Sequence, residues 1–163
     1  MHKPFSLSVC AALAALTLAP VPARALPRDV FLAIGPMLHF NIPNSVGGPA
    51  GVSLALEGSY WDLRDRIPWG ADIGIEYDFR KRTRIYAEAE AGAIMAGGAI
   101  GPVLEFGPKG PQLGLQLSAW ADWFLGVDLR GRIMVDGERE YAPGVFGKWP
   151  FGKVTSPFYS DEG

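Results

Sequence analysis

Cysteine is all but missing: Cys10 stands alone, inside a segment that reads as a cleaved leader. The remaining chain therefore has no disulfide, no thiol nucleophile and no cysteine-based metal site. Histidine is nearly as scarce, His39 being the only one beyond His2. After the leader no stretch is apolar for about 18 residues in a row, which excludes a transmembrane helix and leaves a barrel as the way to cross a bilayer. A basic surplus is also lacking. Setting Lys3 and Arg24 aside leaves 13 of the 15 basic residues against 17 acidic ones, about −4 in charge, so no nucleic-acid partner is suggested. Lysine is confined to Lys81, Lys109, Lys148 and Lys153 beyond the leader, all in predicted turns or the tail, and threonine is almost absent from the strands. A water-soluble barrel usually carries those residues on its outer strand faces.

What is present begins with the leader. Lys3 is followed by the apolar run Leu7 to Ala19 and by Ala23-Arg24-Ala25, an A-x-A site for signal peptidase. Residues 1–25 are thus expected to be a secretory signal peptide, with Leu26 as the first mature residue. The length fits one domain, expected over residues 26–149 with a tail at 150–163.

From Gln112 to Asp136 every odd position is apolar or glycine, from Leu113 through Trp123 to Val135, while the even positions are mostly polar or small. A period of two belongs to a sheet with one apolar and one polar face. A single strand of that length would span about 80 Å at roughly 3.3 Å per residue, so a reversal is expected near Trp120 to Phe124. A three-residue loop or a bulge there keeps the odd positions on one face, whereas a two-residue hairpin exchanges the faces.

The rest of the chain repeats this pattern. Strands are expected at Val30 to Asn41, Ala50 to Asp62, Trp69 to Arg80 and Arg84 to Met95, with a turn-rich loop at Ile42 to Pro49. Then AIGPMLHF (Ala33 to Phe40) recurs as AIGPVLEF (Ala99 to Phe106), GPAGVSLAL from Gly48 as GPQLGLQL from Gly110, and IYAEAEAG (Ile85 to Gly92) loosely as EYAPGVFG (Glu140 to Gly147). The expectation is an all-β, eight-stranded antiparallel up-and-down barrel, a four-strand unit duplicated with halves at about 30–95 and 96–147. Asp136-Gly137 signals a hairpin into the last strand, Glu138 to Phe146, where Pro143 points to an edge or a bulge.

The polar faces carry Glu57, Asp72, Glu76, Asp78, Glu88, Glu90, Glu105, Asp122 and Asp128 with Arg80, Arg84, Arg130 and Arg132. Planar arginine forks among carboxylates suit an enclosed network in which each buried charge has a partner. Its expected members are Glu57, Asp72, Glu76, Glu88, Glu90, Asp128, Arg130 and Arg132, with Glu88 and Glu90 paired to Arg130 and Arg132. Glu88 and Glu90, at i and i+2, also have the spacing of an acid/base pair or a cation site. Aromatic residues gather near strand ends: Phe31, Phe40, Tyr60, Trp61, Trp69, Phe79, Tyr86, Phe106, Trp120, Trp123 and Phe124. In a lipid-embedded barrel they would form two interfacial girdles.

With its leader, eight alternating strands, short turns and aromatic strand ends, the chain resembles the small eight-stranded outer-membrane barrels of the OmpA/OmpX type. It departs from them at Ser160-Asp161-Glu162-Gly163, where such barrels commonly end on an aromatic residue. The resemblance implies an outer-membrane location, lipid around the wall and a side-chain-filled interior. Barrel deacylases of lipid A place a His and a Ser together on one strand. Here no serine stands two residues from His39, which is expected to be a partly exposed strand-end residue without catalytic role. Gly147-Lys148-Trp149 resembles the G-x-W of lipocalins but follows the last strand instead of preceding the first. The expected function is non-enzymatic, structural or surface-interacting, with no cofactor and no metal. Envelope complexes such as motility or adhesion machinery are candidate partners, and no oligomeric state follows. The alternative is a soluble periplasmic barrel whose inward apolar face binds a small apolar ligand.

Overall fold

Connection lengths decide which side chains of this chain face inward. In the computed structural model, which describes residues 30–44, 48–63, 67–93, 95–122 and 125–151, the strands are β1 (Val30–Pro43), β2 (Gly51–Asp62), β3 (Trp69–Asp78), β4 (Arg82–Ala93), β5 (Ala96–Gly107), β6 (Gly110–Asp122), β7 (Gly126–Met134), β8 (Arg139–Phe146) and a short β9 (Trp149–Phe151). The leader assignment lies outside the described residues, as do Trp123, Phe124 and the end of the chain from 152. Asp122 pairs with Gly126, so the β6–β7 connection is three residues long and the odd positions stay outward on both strands, as the unbroken period predicts. Gly107 pairs with Gly110, a two-residue connection, and there the faces do exchange: β5 points its odd residues inward and β6 its even ones.

From β1 to β8 each strand pairs antiparallel with the next, and β1 pairs with β2 on one side and with β8 and β9 on the other, so the sheet closes into an eight-stranded up-and-down barrel. Closure removes the open edges that a sheet otherwise exposes. Trp149, at the end of the expected domain, and Pro150 and Phe151, at the start of the expected tail, extend the pairing of the last strand along β1, from Ile34 to Leu32. Pro143 occupies neither an edge nor a bulge. Pairing with β1 lapses beside it but resumes in the same step, from His39–Gly144 to Ile42–Tyr141. The Asp136-Gly137 hairpin is a three-residue one: Met134 N–H donates to the Glu138 carbonyl (2.8 Å) and Gly137 takes a φ of 88°, the left-handed position such turns reserve for glycine.

Gly35 and Gly101 share one local geometry. A Cβ on Gly35 would lie 1.8 Å from the Gly147 carbonyl oxygen, and one on Gly101 would lie 1.8 Å from that of Ala87. Each precedes a proline, and beside each the ladder is interrupted. The neighbouring strand thus crosses closely over the bare backbone at two places four strands apart.

The polarity of the wall is inverted relative to a soluble protein. Leu54, Ile73, Ile100, Leu117, Leu129 and Val145 stand outward and exposed around the middle, while Glu57, Glu76, Arg84, Glu88, Arg130 and Arg132 are buried within. Aromatic residues mark both ends of the outer wall, Phe40, Phe79, Phe106 and Tyr141 at the end bearing the β7–β8 turn, and Tyr60, Trp69 and Trp149 at the end bearing β9. Three residues expected in those girdles are inside instead. Trp61, Tyr86 and Trp120 have inward parity, and Trp61 packs edge-on against Trp120 at 5.5 Å across the β9 end of the lumen.

Candidate functional site: the enclosed charge network

All eight residues expected in the interior network face inward and are less than a tenth exposed. They do not form one undivided cluster. Towards the β7–β8 end, two arginines from β4 and β7 hold Glu76, Glu105 and Glu140, and Arg84 also reaches Asp78 (3.5 Å). Arg132 Nη2 lies 2.5 Å from Glu76 Oε2 and its Nη1 3.1 Å from Glu140 Oε1. Arg84 reaches Glu76 (2.7 Å), Glu105 (2.7 Å) and Glu140 (3.0 Å). Arg80 closes the layer through Asp78 and Glu140, both at 2.5 Å. Above it a depression of about 200 Å³ opens to solvent, lined by Arg80, Arg82, Arg139 and Glu138 among others.

The middle layer centres on Arg130. Its Nη2 lies 2.7 Å from Glu57 Oε2 and its Nε 2.8 Å from Asp128 Oδ2, and its guanidinium sits 4.7 Å over the Tyr86 ring. The Tyr86 hydroxyl donates to the same Glu57 oxygen (2.7 Å). His39 corrects an expectation. It is wholly buried, with Nε2 2.9 Å from Asp128 Oδ2 and Nδ1 3.8 Å from Glu76 Oε2. Inward parity on β1, shared with Met37 and Asn41, carries it off the strand end and into the lumen. Ser53 stands opposite it across the β1–β2 ladder. Neither Ser53 Oγ nor His39 Nδ1 makes a hydrogen bond, and both residues are sealed from solvent, so the arrangement is not a nucleophile–base pair.

Towards the β9 end the expected pairing of Glu88 and Glu90 with Arg130 and Arg132 is not formed, because both arginines are taken up by other carboxylates. Glu88 accepts instead from neutral donors, Gln116 Nε2 (2.9 Å) and Ser118 Oγ (3.1 Å). Gln116 turns its other end to Arg132, whose Nε donates to Gln116 Oε1 (2.6 Å), and so links this layer to the far one. Among the described residues the cation in this layer is Lys148, expected in a turn or the tail. Its Nζ reaches Glu57 Oε1 (2.7 Å), Ser59 Oγ (2.7 Å) and Asp72 Oδ1 (3.5 Å). Its inward direction follows from parity with Phe146, since the register of β8 runs on unbroken into β9. One oxygen each from Glu57, Asp72 and Glu88 falls within 4.8 Å of the others, and Glu90, which meets the Asp72 carboxyl, has no nitrogen or hydroxyl hydrogen bond among the described residues.

Chemically the network is a brace. Paired charges in a low-dielectric interior hold partners on different strands in fixed register, and each is costly to leave alone. A lumen lined in this way also contradicts the inward apolar face that a soluble carrier of an apolar ligand requires.

No protein-family model matches the sequence, and no curated protein matches it. Among solved structures, the chain is similar to a de novo designed transmembrane β-barrel, with 8% identity over 76% of this chain and 98% of the other and a TM-score of 0.46. It is also similar to Neisserial surface protein A, with 12% identity over 74% and 97% and a TM-score of 0.42. A third is Ail, the attachment invasion locus protein of Yersinia pestis, with 8% identity over 76% and 100% and a TM-score of 0.24. At such identities no residue role passes from these proteins to this chain.

Proposed function

We propose that the protein is an outer-membrane β-barrel of a bacterial envelope, exported by a cleaved leader, with a structural or surface-interaction role and no catalytic activity. One observation carries the reading: apolar side chains cover the outside of a closed barrel whose inside is a network of buried charges. Lipid satisfies that outer wall, and water does not. The two aromatic bands fit the two interfaces of a bilayer. Among the described residues the titratable groups sealed in the lumen are engaged with one another or out of a substrate's reach, which favours a brace over a reaction centre. Surface contacts with envelope partners would fall to the connections at the strand ends, including that between β1 and β2.

Fractionation of cells expressing the full precursor tests this, with boiled and unboiled outer-membrane material compared on a denaturing gel. The expected result is an outer-membrane band that resists detergent and shifts on heating. Recovery as a soluble periplasmic monomer with no heat shift would overturn it.

A further inference from the structure

Among the described residues, carboxylates exceed cations in the β9 half of the lumen. Glu57, Asp72, Glu88 and Glu90 are buried there, each at most 6% exposed. Among the described residues the cations they meet are Lys148 and Arg130, and Arg130 is shared with Asp128. Glu88 has only neutral donors. Glu90 is the sharpest case. It faces Gly70 across the β3–β4 ladder, and its carboxyl folds over the bare glycine, Oε1 standing 3.1 Å from where a Cβ would be, to meet the Asp72 carboxyl. Beyond that carboxyl–carboxyl contact, no nitrogen or hydroxyl among the described residues hydrogen-bonds to Glu90 or to Asp72 Oδ1. A buried carboxylate is stable only when it is hydrogen-bonded, paired, protonated or bound to a metal.

Two independent features point to the last of these. Oxygens of Glu57, Asp72 and Glu88 lie within 4.8 Å of one another. That is the width of an oxygen shell around Ca²⁺, whose ligands stand about 2.3–2.6 Å from the ion. Glu90, nine-tenths buried and without a donor, adds a fourth carboxylate at the edge of the same cluster. The ligand set is all oxygen, with the Ser59 and Ser118 hydroxyls beside it and no imidazole or thiolate. Such a set selects hard cations, and irregular carboxylate geometry suits Ca²⁺ better than the strict octahedron of Mg²⁺.

We propose that Glu57, Asp72, Glu88 and Glu90 form a binding site for a hard divalent cation of the Ca²⁺ class, and that Lys148 competes with it for the same carboxylates. Lys148 takes Glu57 Oε1 and Asp72 Oδ1 through one ammonium group. Its Cα stands where the β1 ladder is interrupted, and its unbranched stem can turn towards the β9 end. The barrel would then have two forms of its inner brace, one closed by its own lysine and one by a metal ion. Nothing in this assignment depends on what surrounds the outer wall, so it stands or falls apart from the membrane reading.

Terbium(III), a luminescent stand-in for Ca²⁺, tests the site in the full mature chain refolded in detergent micelles. Trp120 lies against Gly92 and Gly97, one step beyond Glu90, and would sensitise a bound ion. The expected result is saturable tryptophan-excited emission that Ca²⁺ displaces. Lys148→Met should tighten Ca²⁺ binding and Glu90→Gln weaken it, each by about tenfold or more. Folding of each variant is checked first by the heat shift on a gel. If Glu90→Gln does not fold, Asp72→Asn takes its place. Saturable emission absent from both the parent and Lys148→Met would overturn the site, and so would an affinity unchanged by Glu90→Gln or its substitute.

Discussion

Arg132 and Glu76 meet fork to fork across the lumen, Nη2 at 2.5 Å from Oε2 and Nη1 at 3.1 Å from Oε1. The pair joins β7 to β3, which are not neighbours in the sheet, so it ties opposite walls together. Removing Arg132 leaves Glu76 to Arg84, which Glu105 and Glu140 also share, so a buried negative charge goes uncompensated. Arg132→Met should therefore cost about 3–5 kcal/mol, read as a lower urea midpoint for unfolding from lipid vesicles. Arg132→Met with Glu76→Gln should recover part of that loss, and the coupling measures the pair.

Leu117 points outward near the middle of β6, and Val135 lies at the β7–β8 turn. If lipid surrounds the wall, the cost of a charge depends on depth. Leu117→Arg should lose about 2–4 kcal/mol and Val135→Arg about 0–1 kcal/mol by the same unfolding assay. Equal costs at the two positions would contradict a bilayer around the barrel.

Gly35→Ala and Gly101→Ala each drive a Cβ into the backbone of the neighbouring strand, which no rotamer change relieves. Each should cost more than the roughly 1–3 kcal/mol of ordinary overpacking, and each should lower the yield of heat-shifting barrel on refolding. Gly131, on the outward face of β7, has no atom within 4 Å of an added Cβ. Gly131→Ala should be neutral or stabilising by up to about 1 kcal/mol.

At the rim, Lys109 from the β5–β6 turn bonds Glu138 beside the β7–β8 turn, and Glu138 N–H donates to Asp136 Oδ1 at 3.0 Å. The hydrogen bond and charge of Lys109 hold the Glu138 carboxyl below its ordinary value, and the Glu138 amide does the same for Asp136. Hydrogen bonding to Glu138 raises the Lys109 ammonium. Depressed acids stabilise the folded rim above the ordinary carboxylate range, and that contribution is lost as pH falls through their folded values. The raised lysine stabilises it below the ordinary lysine range and ceases to do so as pH rises through its folded value. Protection of the rim amides from hydrogen exchange, corrected for the intrinsic rate, should therefore be greatest between those limits. Glu138→Gln should flatten the acid side.

The barrel was legible because parity is a strong signal. Leu113 to Val135 kept its period of two across a three-residue turn, and charged residues collected on the opposite face. The same parity would have placed His39 inside, since it alternates with Leu38 and Phe40. It is no strand end, because β1 runs on to Pro43. Lys148 carries no such signal, since a Gly-Lys pair reads as a turn and only the unbroken register of β8 and β9 aims it inward. The partners of Glu88 and Glu90 could not be read from one sequence at all. Which arginine meets which carboxylate depends on the stagger between strands, and alternation along each strand does not encode it.

The layered interior has an electrical consequence. Between the open depression at one end and the Trp61–Trp120 pair at the other lie the buried Arg84–Arg132 and Arg130–Tyr86 layers, each spanning the lumen with side chains locked to partners on other strands. A permeating ion would have to part those bonds in turn and would meet fixed charge of both signs while shedding its own hydration. Inserted in a planar bilayer under voltage, this barrel should behave as an insulator, passing no stepwise current.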